Sequence, residues 1–169
     1  MKRHFCTLSL FLGCSIWSVN TLAQTIAKPS FAIEGEVLRP FKFTLDDLSK
    51  LKQTEVKAKD KEGKEHTFKG VRLVDLLDSA GVTLGKDLRG ENLTKSVLVK
   101  AADGYQVVFS LAEVDPEFTD QTIIVAHQVD GKSLPKGEGT FRIVVPNDKR
   151  PTRWVRDLTS IKVVFSKEK

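Results

Sequence analysis

A cluster of cations surrounds a tryptophan near the end of the chain, in the stretch VVPNDKRPTRWVRDL of residues 144–158. Arginine guanidinium groups pair well with phosphate, sulfate or carboxylate, and Trp154 offers an aromatic face to a guanidinium or a flat ligand. These residue types point to an anion-binding pocket. The stretch also holds Pro146 and Pro151, so it can instead be a solvated loop that docks through its tryptophan while its arginines pair with local carboxylates. Composition alone slightly favours the loop. The cations are Lys149, Arg150, Arg153 and Arg156.

Few other residues suggest chemistry. His66 and His127 make a weak case for zinc, which usually takes three or four N, S or O ligands. His127 lies in an apolar stretch, where a packed strand histidine is the favoured interpretation. The Gly137–Gly139 segment is a turn and not a phosphate-binding loop, and no Gly-x-Ser-x-Gly elbow is present. Tyr105, the single tyrosine, follows an Asp-Gly turn, where packing is the first interpretation and a hydrogen bond in a cleft the second. The sequence assigns no catalytic residue and no metal ligand.

The first 23 residues have the pattern of a secretory signal peptide. A basic start at Lys2 and Arg3 precedes an apolar run to Val19, and Ala23 ends the expected cleavage site. Cleavage there predicts a periplasmic or secreted protein of 146 of the 169 residues, with the formal charge lowered from +5 to +3. This mild excess does not predict nucleic-acid binding. No transmembrane segment is expected in the mature chain.

Both cysteines, Cys6 and Cys14, lie in that first segment. The mature chain is therefore expected to have no disulfide and no thiolate ligand, while lipidation of Cys14 stays an open question. Residues 24–30 are interpreted as a flexible arm, and residues 31–169 as a single domain of ordinary size.

Strand and helix signals follow one another without regular alternation. Leucines recur at helical spacing over residues 73–80, and Gly81 is the expected left-handed cap of that helix. Thr44 and Ser110 are expected N-caps of two shorter helices. This pattern predicts an α+β fold with a β-rich, mixed or antiparallel sheet core and two or three short helices. Strands are expected at residues 31–37, 41–43, 55–59, 65–68, 96–101, 105–109, 123–129, 141–145 and 161–165.

Four segments in this order resemble the oxidoreductase molybdopterin-binding domain family, whose fold is the sulfite-oxidase-like one. They are FKGVRLVDLLDSAGV (68–82), ADGYQVVFSLAEV (102–114), VDGKSLP (129–135) and FRIVVPNDKRPTRWVRDLTSIKV (141–163). The resemblance runs from about Phe31 to Phe165 and implies an α+β fold with a mixed, β-rich core. It matches the family's strand arginine with Arg142 and the tryptophan of its closing segment with Trp154.

The resemblance also shows what this chain lacks. In catalytic members a cysteine thiolate holds the molybdenum, and the corresponding region here, residues 56–60, reads VKAKD. Members with cofactor tend to carry His-Gly before the arginine strand, where this chain has KGEGT at 136–140. Cofactor-loaded members generally leave the cytoplasm folded, whereas the signal here is typical of unfolded export. The expectation is therefore that no cofactor is bound, molybdopterin being suggested by the resemblance alone.

Three functions fit these observations. The leading hypothesis is a non-catalytic periplasmic module that binds a small anionic or pterin-like ligand, or a membrane-bound sensor or redox partner. The second is a molybdopterin-dependent oxidoreductase that keeps its cofactor without a cysteine ligand, and the third is a structural subunit that associates through a sheet edge. The residues expected to bind the ligand or anion are Tyr105, Arg142, Lys149, Arg150, Arg153, Trp154 and Arg156.

Overall fold

The computed structural model describes residues 28–166. The signal peptide, its cleavage site, Cys14 and residues 24–27 of the expected arm lie outside this range. Within it, the chain forms ten strands, three short α-helices and three 3-10 turns, and no helix there is long and apolar enough to cross a membrane. The strands are β1 (Ser30–Gly35), β2 (Phe41–Thr44), β3 (Thr54–Lys59), β4 (Glu65–Arg72), β5 (Lys95–Ala101), β6 (Gln106–Ser110), β7 (Ile124–Val129), β8 (Lys132–Ser133), β9 (Arg142–Val144) and β10 (Leu158–Phe165). The α-helices are α1 (Leu45–Ser49), α2 (Leu73–Ser79) and α3 (Leu111–Val114), and the 3-10 turns are Gly85–Asp87, Gly90–Thr94 and Pro151–Arg153.

The first sheet has the strand order β2-β1-β10-β5-β6. Its central pair is parallel, with Ala32 of β1 opposite Ser160 of β10, and its other neighbours are antiparallel. The chain therefore brings its first and last described strands together in the middle of one sheet.

The second sheet has the order β3-β4-β7-β8, and β9 also pairs with β7. All of its pairings are antiparallel. Gly70 of β4 lies where a Cβ would come 2.1 Å from the carbonyl oxygen of Val125, so the absence of a side chain allows the two strands to approach. The predicted α+β fold with mixed and antiparallel sheets and short helices is confirmed.

The core lies between the two sheets and joins them. Phe31 of the first sheet packs edge-on against Phe141, which precedes β9, with ring centroids 5.0 Å apart. Ile33, Phe109 and Ile124 are fully buried in the same cluster of apolar side chains. A continuous apolar core of this kind fixes how the two sheets face each other, and with them the loops that leave their ends.

The predicted helix ends are confirmed. The Thr44 hydroxyl accepts the backbone N–H of Asp47 at 3.3 Å, and the Asp47 carboxylate accepts the N–H of Thr44 at 3.0 Å. The Ser110 hydroxyl accepts the backbone N–H of Glu113 at 3.1 Å and caps α3, and Gly81 adopts a φ of +75° after α2. The expected extension of the first strand to Val37 is wrong, because β1 ends at Gly35 with a φ of +92°.

Candidate functional site

The segment of residues 148–156, here called the basic segment, is anchored by its tryptophan. Trp154 follows the 3-10 turn Pro151–Arg153 and is only 5% exposed. Its indole N–H donates to the carbonyl oxygen of Val145 at 3.0 Å, which satisfies the one polar atom that burial would otherwise leave unpaired. The Tyr105 hydroxyl donates to the carbonyl oxygen of Thr152 at 2.6 Å and holds the turn from the other side.

Arg153 binds two carboxylates. Its Nε and NH2 donate to the two oxygens of Asp148 at 2.8 and 2.6 Å, and NH1 donates to Glu113 at 2.6 Å. The guanidinium also lies 4.9 Å from the ring centroid of Phe109. The hydrogen bonds to Asp148, and then those to Glu113, raise the pKa of Arg153. Arg153 therefore fastens the basic segment to the end of β6 and to α3.

Arg142 lies at the floor of a cleft beside the basic segment. It is 8% exposed, and its guanidinium carbon lies 5.4 Å from the ring centroid of Phe68 and 5.0 Å from that of Trp154. NH1 donates to Glu138 at 2.5 Å, whereas no described acceptor lies within hydrogen-bond distance of Nε. Burial lowers the pKa of Arg142 and Glu138 opposes that effect, so the group stays cationic near neutral pH.

The cleft has a volume of about 1420 Å³. Its floor carries Phe68, Arg142 and Trp154, and its walls come from the β3–β4 turn, the β7–β8 turn and the basic segment. Lys149, Arg150 and Arg156 are exposed side chains of its rim. The rings of Phe68 and Trp154 are buried beneath the Arg142 guanidinium, so this planar cation and the cationic rim are what the cleft offers to a ligand with a flat ring and a negatively charged group.

A histidine joins two turns at the edge of the cleft. His66 Nδ1 lies 2.6 Å from a carboxylate oxygen of Asp130, and Nε2 lies 3.2 Å from one of Asp60. Both carboxylates are acceptors, so the imidazolium form satisfies both contacts. The bond to Asp130 raises the pKa of His66 against the opposing effect of burial, and the bond to Asp60 adds to it. His66 lowers the pKa of Asp130 in turn.

The other histidine has a structural contact. His127 Nε2 lies 2.9 Å from Oε1 of Gln53, whose side-chain nitrogen donates to the carbonyl oxygens of Leu48 and Leu51. Burial, and then the charge of Lys69, lower the pKa of His127. Its place in β7 agrees with the packed strand histidine that the sequence favours. Across residues 28–166, no group of three His, Cys, Asp or Glu side chains could hold a metal ion.

The structure divides the residues that the sequence groups together. Five of the seven expected ligand-binding residues line the cleft: Arg142, Lys149, Arg150, Trp154 and Arg156. Arg153 and Tyr105 do not line it, because Arg153 is turned toward Asp148 and Glu113 and the Tyr105 hydroxyl is bound to Thr152. Those two residues support the basic segment from behind.

Several cleft residues were not expected from the sequence. In the sequence, Phe68 has no feature that distinguishes it from other strand residues, and only the fold places Arg142 of β9 beside it. The contact of His66 with Asp130 joins residues 64 positions apart. Glu138 lies in a turn that the sequence marks only by its two glycines. Phe68 and His66 acquire these neighbours through the pairing of distant strands, whereas Glu138 pairs with Arg142 only four positions later, a spacing that the sequence analysis did not use.

Comparison with known proteins gives one family and one fold. The family model described as the oxidoreductase molybdopterin binding domain matches residues 19–169. A chain in the crystal structure of the sulfane dehydrogenase SoxCD from Paracoccus pantotrophus is similar, with a TM-score of 0.64 and 22% sequence identity. The match covers 82% of this chain and 38% of that chain, so this protein spans well under half of its neighbour's length. At this identity the likeness establishes the fold alone. No curated protein matches the sequence.

Proposed function

The chain belongs to the oxidoreductase molybdopterin-binding domain family, and from this premise we propose that it is an exported, non-catalytic module. In this proposal the cleft binds a flat ligand that carries a phosphate or a similar anionic group. The occupied module then acts on a membrane-bound sensor or redox partner, such as the outer domain of a sensor kinase. The proposed location is the periplasm, after cleavage behind Ala23.

The observation that carries the proposal is the state of Arg142. Its guanidinium is nine-tenths buried, stacked near Phe68 and Trp154, and its Nε has no acceptor among the residues described. A buried donor without a partner costs about 1–3 kcal/mol, so such a group is rare in a native protein unless something else satisfies it. A ligand oxygen in the cleft would supply the missing acceptor.

The cleft fits the organic part of a molybdopterin-like molecule better than its metal. Lys149, Arg150 and Arg156 suit a phosphate, and the planar guanidinium of Arg142, which lies over the buried rings of Phe68 and Trp154, suits a flat ring system. The wall contributed by residues 57–60 offers two lysines, an alanine and an aspartate, and both cysteines of the chain lie at positions 6 and 14. This donor set does not fit a thiolate-bound metal ion. We therefore infer a pterin-like ligand without molybdenum.

A binding titration tests the proposal. Trp154 is the only tryptophan of a chain that begins at Gln24, so its fluorescence reports the floor of the cleft. A phosphorylated pterin is expected to quench it saturably, and Arg142→Met to weaken that binding at least tenfold. Lys162→Met, an exposed lysine of β10 outside the cleft, is the control and should bind as the wild type does. Absence of saturable quenching at millimolar ligand would remove the cleft as a binding site.

Export is tested separately. N-terminal sequencing of protein from the periplasm of the native host should give Gln24 as the first residue. Recovery of the uncleaved chain from the cytoplasm would contradict the proposed location and the role that depends on it.

A second candidate function is a molybdopterin-dependent oxidoreductase that keeps its cofactor without a cysteine. It is favoured by the family match and by a fold neighbour that is part of a sulfane dehydrogenase structure. Elemental analysis for molybdenum on protein from the native periplasm separates the two candidates. A stoichiometric molybdenum content would replace the binding module with the oxidoreductase.

A further inference from the structure

Glu138 lies inside the cleft between two guanidinium groups. One carboxylate oxygen accepts from Arg142 NH1 at 2.5 Å, and the other lies 3.7 Å from Arg156 Nε. The side chain of Glu138 is only 18% exposed, and Glu138, Arg142 and Arg156 all line the cleft. An anion that belongs to the protein therefore occupies the place where an external anion would meet these two arginines.

The backbone that carries Glu138 is fixed. Its carbonyl oxygen accepts the N–H of Asp157 at 2.8 Å, and its own N–H donates to Pro135 at 3.1 Å. The next residue, Gly139, has a φ of +75° and packs so tightly that a Cβ would come 2.3 Å from a carboxylate oxygen of Asp157. The carboxylate can leave the arginines by rotation about its own side-chain bonds, without movement of the turn.

The contact between Glu138 and the two arginines leaves donors unused. Arginine binds carboxylates best through two parallel N–H bonds, but Arg142 uses a single NH1 here while its Nε finds no acceptor in the part of the chain described. The 3.7 Å contact with Arg156 is longer than a hydrogen bond. A tetrahedral anion with three free oxygens and two charges could bind both guanidinium groups at once. A ligand with a single carboxylate offers no more charge and no more acceptor oxygens than Glu138 already does.

We propose that Glu138 is an internal competitor that occupies Arg142 and Arg156 in the free protein and is displaced by a phosphate-class anion. This inference rests on the proposed function of the cleft. Glu138 then sets a threshold for binding: a ligand carboxylate only exchanges one carboxylate for another and gains little, whereas a phosphate gains enough charge and hydrogen bonds to offset the displacement of Glu138. The cleft thereby selects phosphate monoesters over the carboxylates that share their ring systems.

Calorimetric titration with inorganic phosphate and with acetate tests the competition. Glu138→Gln should bind phosphate about tenfold more tightly than the wild type, as expected when one charge-assisted contact no longer has to be broken. Acetate binding should strengthen by a similar factor, because the cost of displacing the resident carboxylate is removed for both anions. Glu62→Gln is the matched control: it removes the same charge from the same cleft, but Glu62 pairs with Lys61 at 3.4 Å and not with the arginines.

The outcomes are distinct. Unchanged or weaker phosphate binding by Glu138→Gln overturns the inference, and so does an equal gain in Glu62→Gln, which would mean that only net charge matters. If neither the wild type nor Glu138→Gln binds phosphate, the proposed anion site itself is wrong. Thermal unfolding shows whether Glu138→Gln is folded. If Glu138→Gln does not fold, Glu138→Asp replaces it in the titration, because aspartate keeps the charge but has a shorter side chain. Phosphate binding by Glu138→Asp that is tighter than that of the wild type supports the inference, and equal or weaker binding overturns it.

Discussion

Replacement of Arg153 by alanine is expected to release the basic segment from the body of the protein. The change removes three hydrogen bonds of 2.6–2.8 Å to Asp148 and Glu113 and the contact with the ring of Phe109. Hydrogen bonds to charged groups contribute about 1.5–3 kcal/mol each when buried. The Arg153 side chain is 31% exposed, so solvent screening brings the sum below the roughly 4.5 kcal/mol that three such bonds would give at the lower end. We expect a loss of about 3 kcal/mol in the free energy of unfolding.

Arg150→Ala is the matched comparison for this experiment. It removes the same type of side chain three positions earlier in the same segment, but Arg150 is exposed on the rim of the cleft. Its expected effect on stability is within about 0.5 kcal/mol, and its expected effect on phosphate binding is a direct loss of one cation. Urea denaturation and phosphate titration of both variants separate anchoring from binding. If Arg153→Ala costs no more stability than Arg150→Ala, the anchoring role of Arg153 is refuted.

Two further changes test the cleft. His66 and its two carboxylate partners, Asp60 and Asp130, form a clamp between two turns, in which the pKa of His66 is raised and those of the two carboxylates are lowered. The contribution of this clamp to stability should therefore be lost as pH rises above about 6.5 and as pH falls below about 4. The stability gap between wild type and His66→Gln, measured by urea denaturation, should therefore be largest between these values; a gap that grows above pH 7 would contradict the clamp. Gly139→Ala should lose about 2 kcal/mol or more, since its φ is +75° and a Cβ would meet Asp157. Gly131→Ala, with a φ of +74° but nothing within 4 Å, should lose less in the same thermal unfolding assay, and equal losses would remove the packing argument.

The fold was predictable where the signals are local. The capping residues Thr44 and Ser110, the turn at Asp103 and Gly104, and the leucine spacing of α2 each act over a few positions, and each predicted element forms. The parallel pairing of β1 with β10 lies beyond such reasoning, because the two strands come from opposite ends of the described chain. Only the family resemblance carried information about that arrangement.

The sequence showed the basic composition of this segment, but it did not show which of its residues dock the segment and which line the cleft. The sequence left a docked loop and an anion site as alternatives, and the structure divides the stretch between residues that dock and residues that line the cleft. Trp154 and Arg153 dock, while Lys149, Arg150 and Arg156 line the cleft. The partner that turns Arg153 away is Glu113, 40 positions earlier, so no pattern within the segment could have distinguished one arginine from the next. That the lining cations bind a ligand stays a prediction.

The ion pairs of the cleft explain why the net charge of the whole chain says little about which ligand the cleft could bind. Many of its ionic groups are closed into pairs: Asp148 with Arg153, Glu138 with Arg142, and His66 with its two carboxylates. Such pairs form when the protein folds. Toward a ligand, each pair acts as a group without net charge, or its carboxylate competes with the ligand for the arginine. In physiological salt, charges farther than about 8 Å away are largely screened, so the formal +3 expected for the chain after cleavage would do little at the site. In the proposed function, an incoming anion would bind the few guanidinium donors that the protein's own carboxylates leave incompletely satisfied, and Arg142 Nε is the buried one among them in residues 28–166.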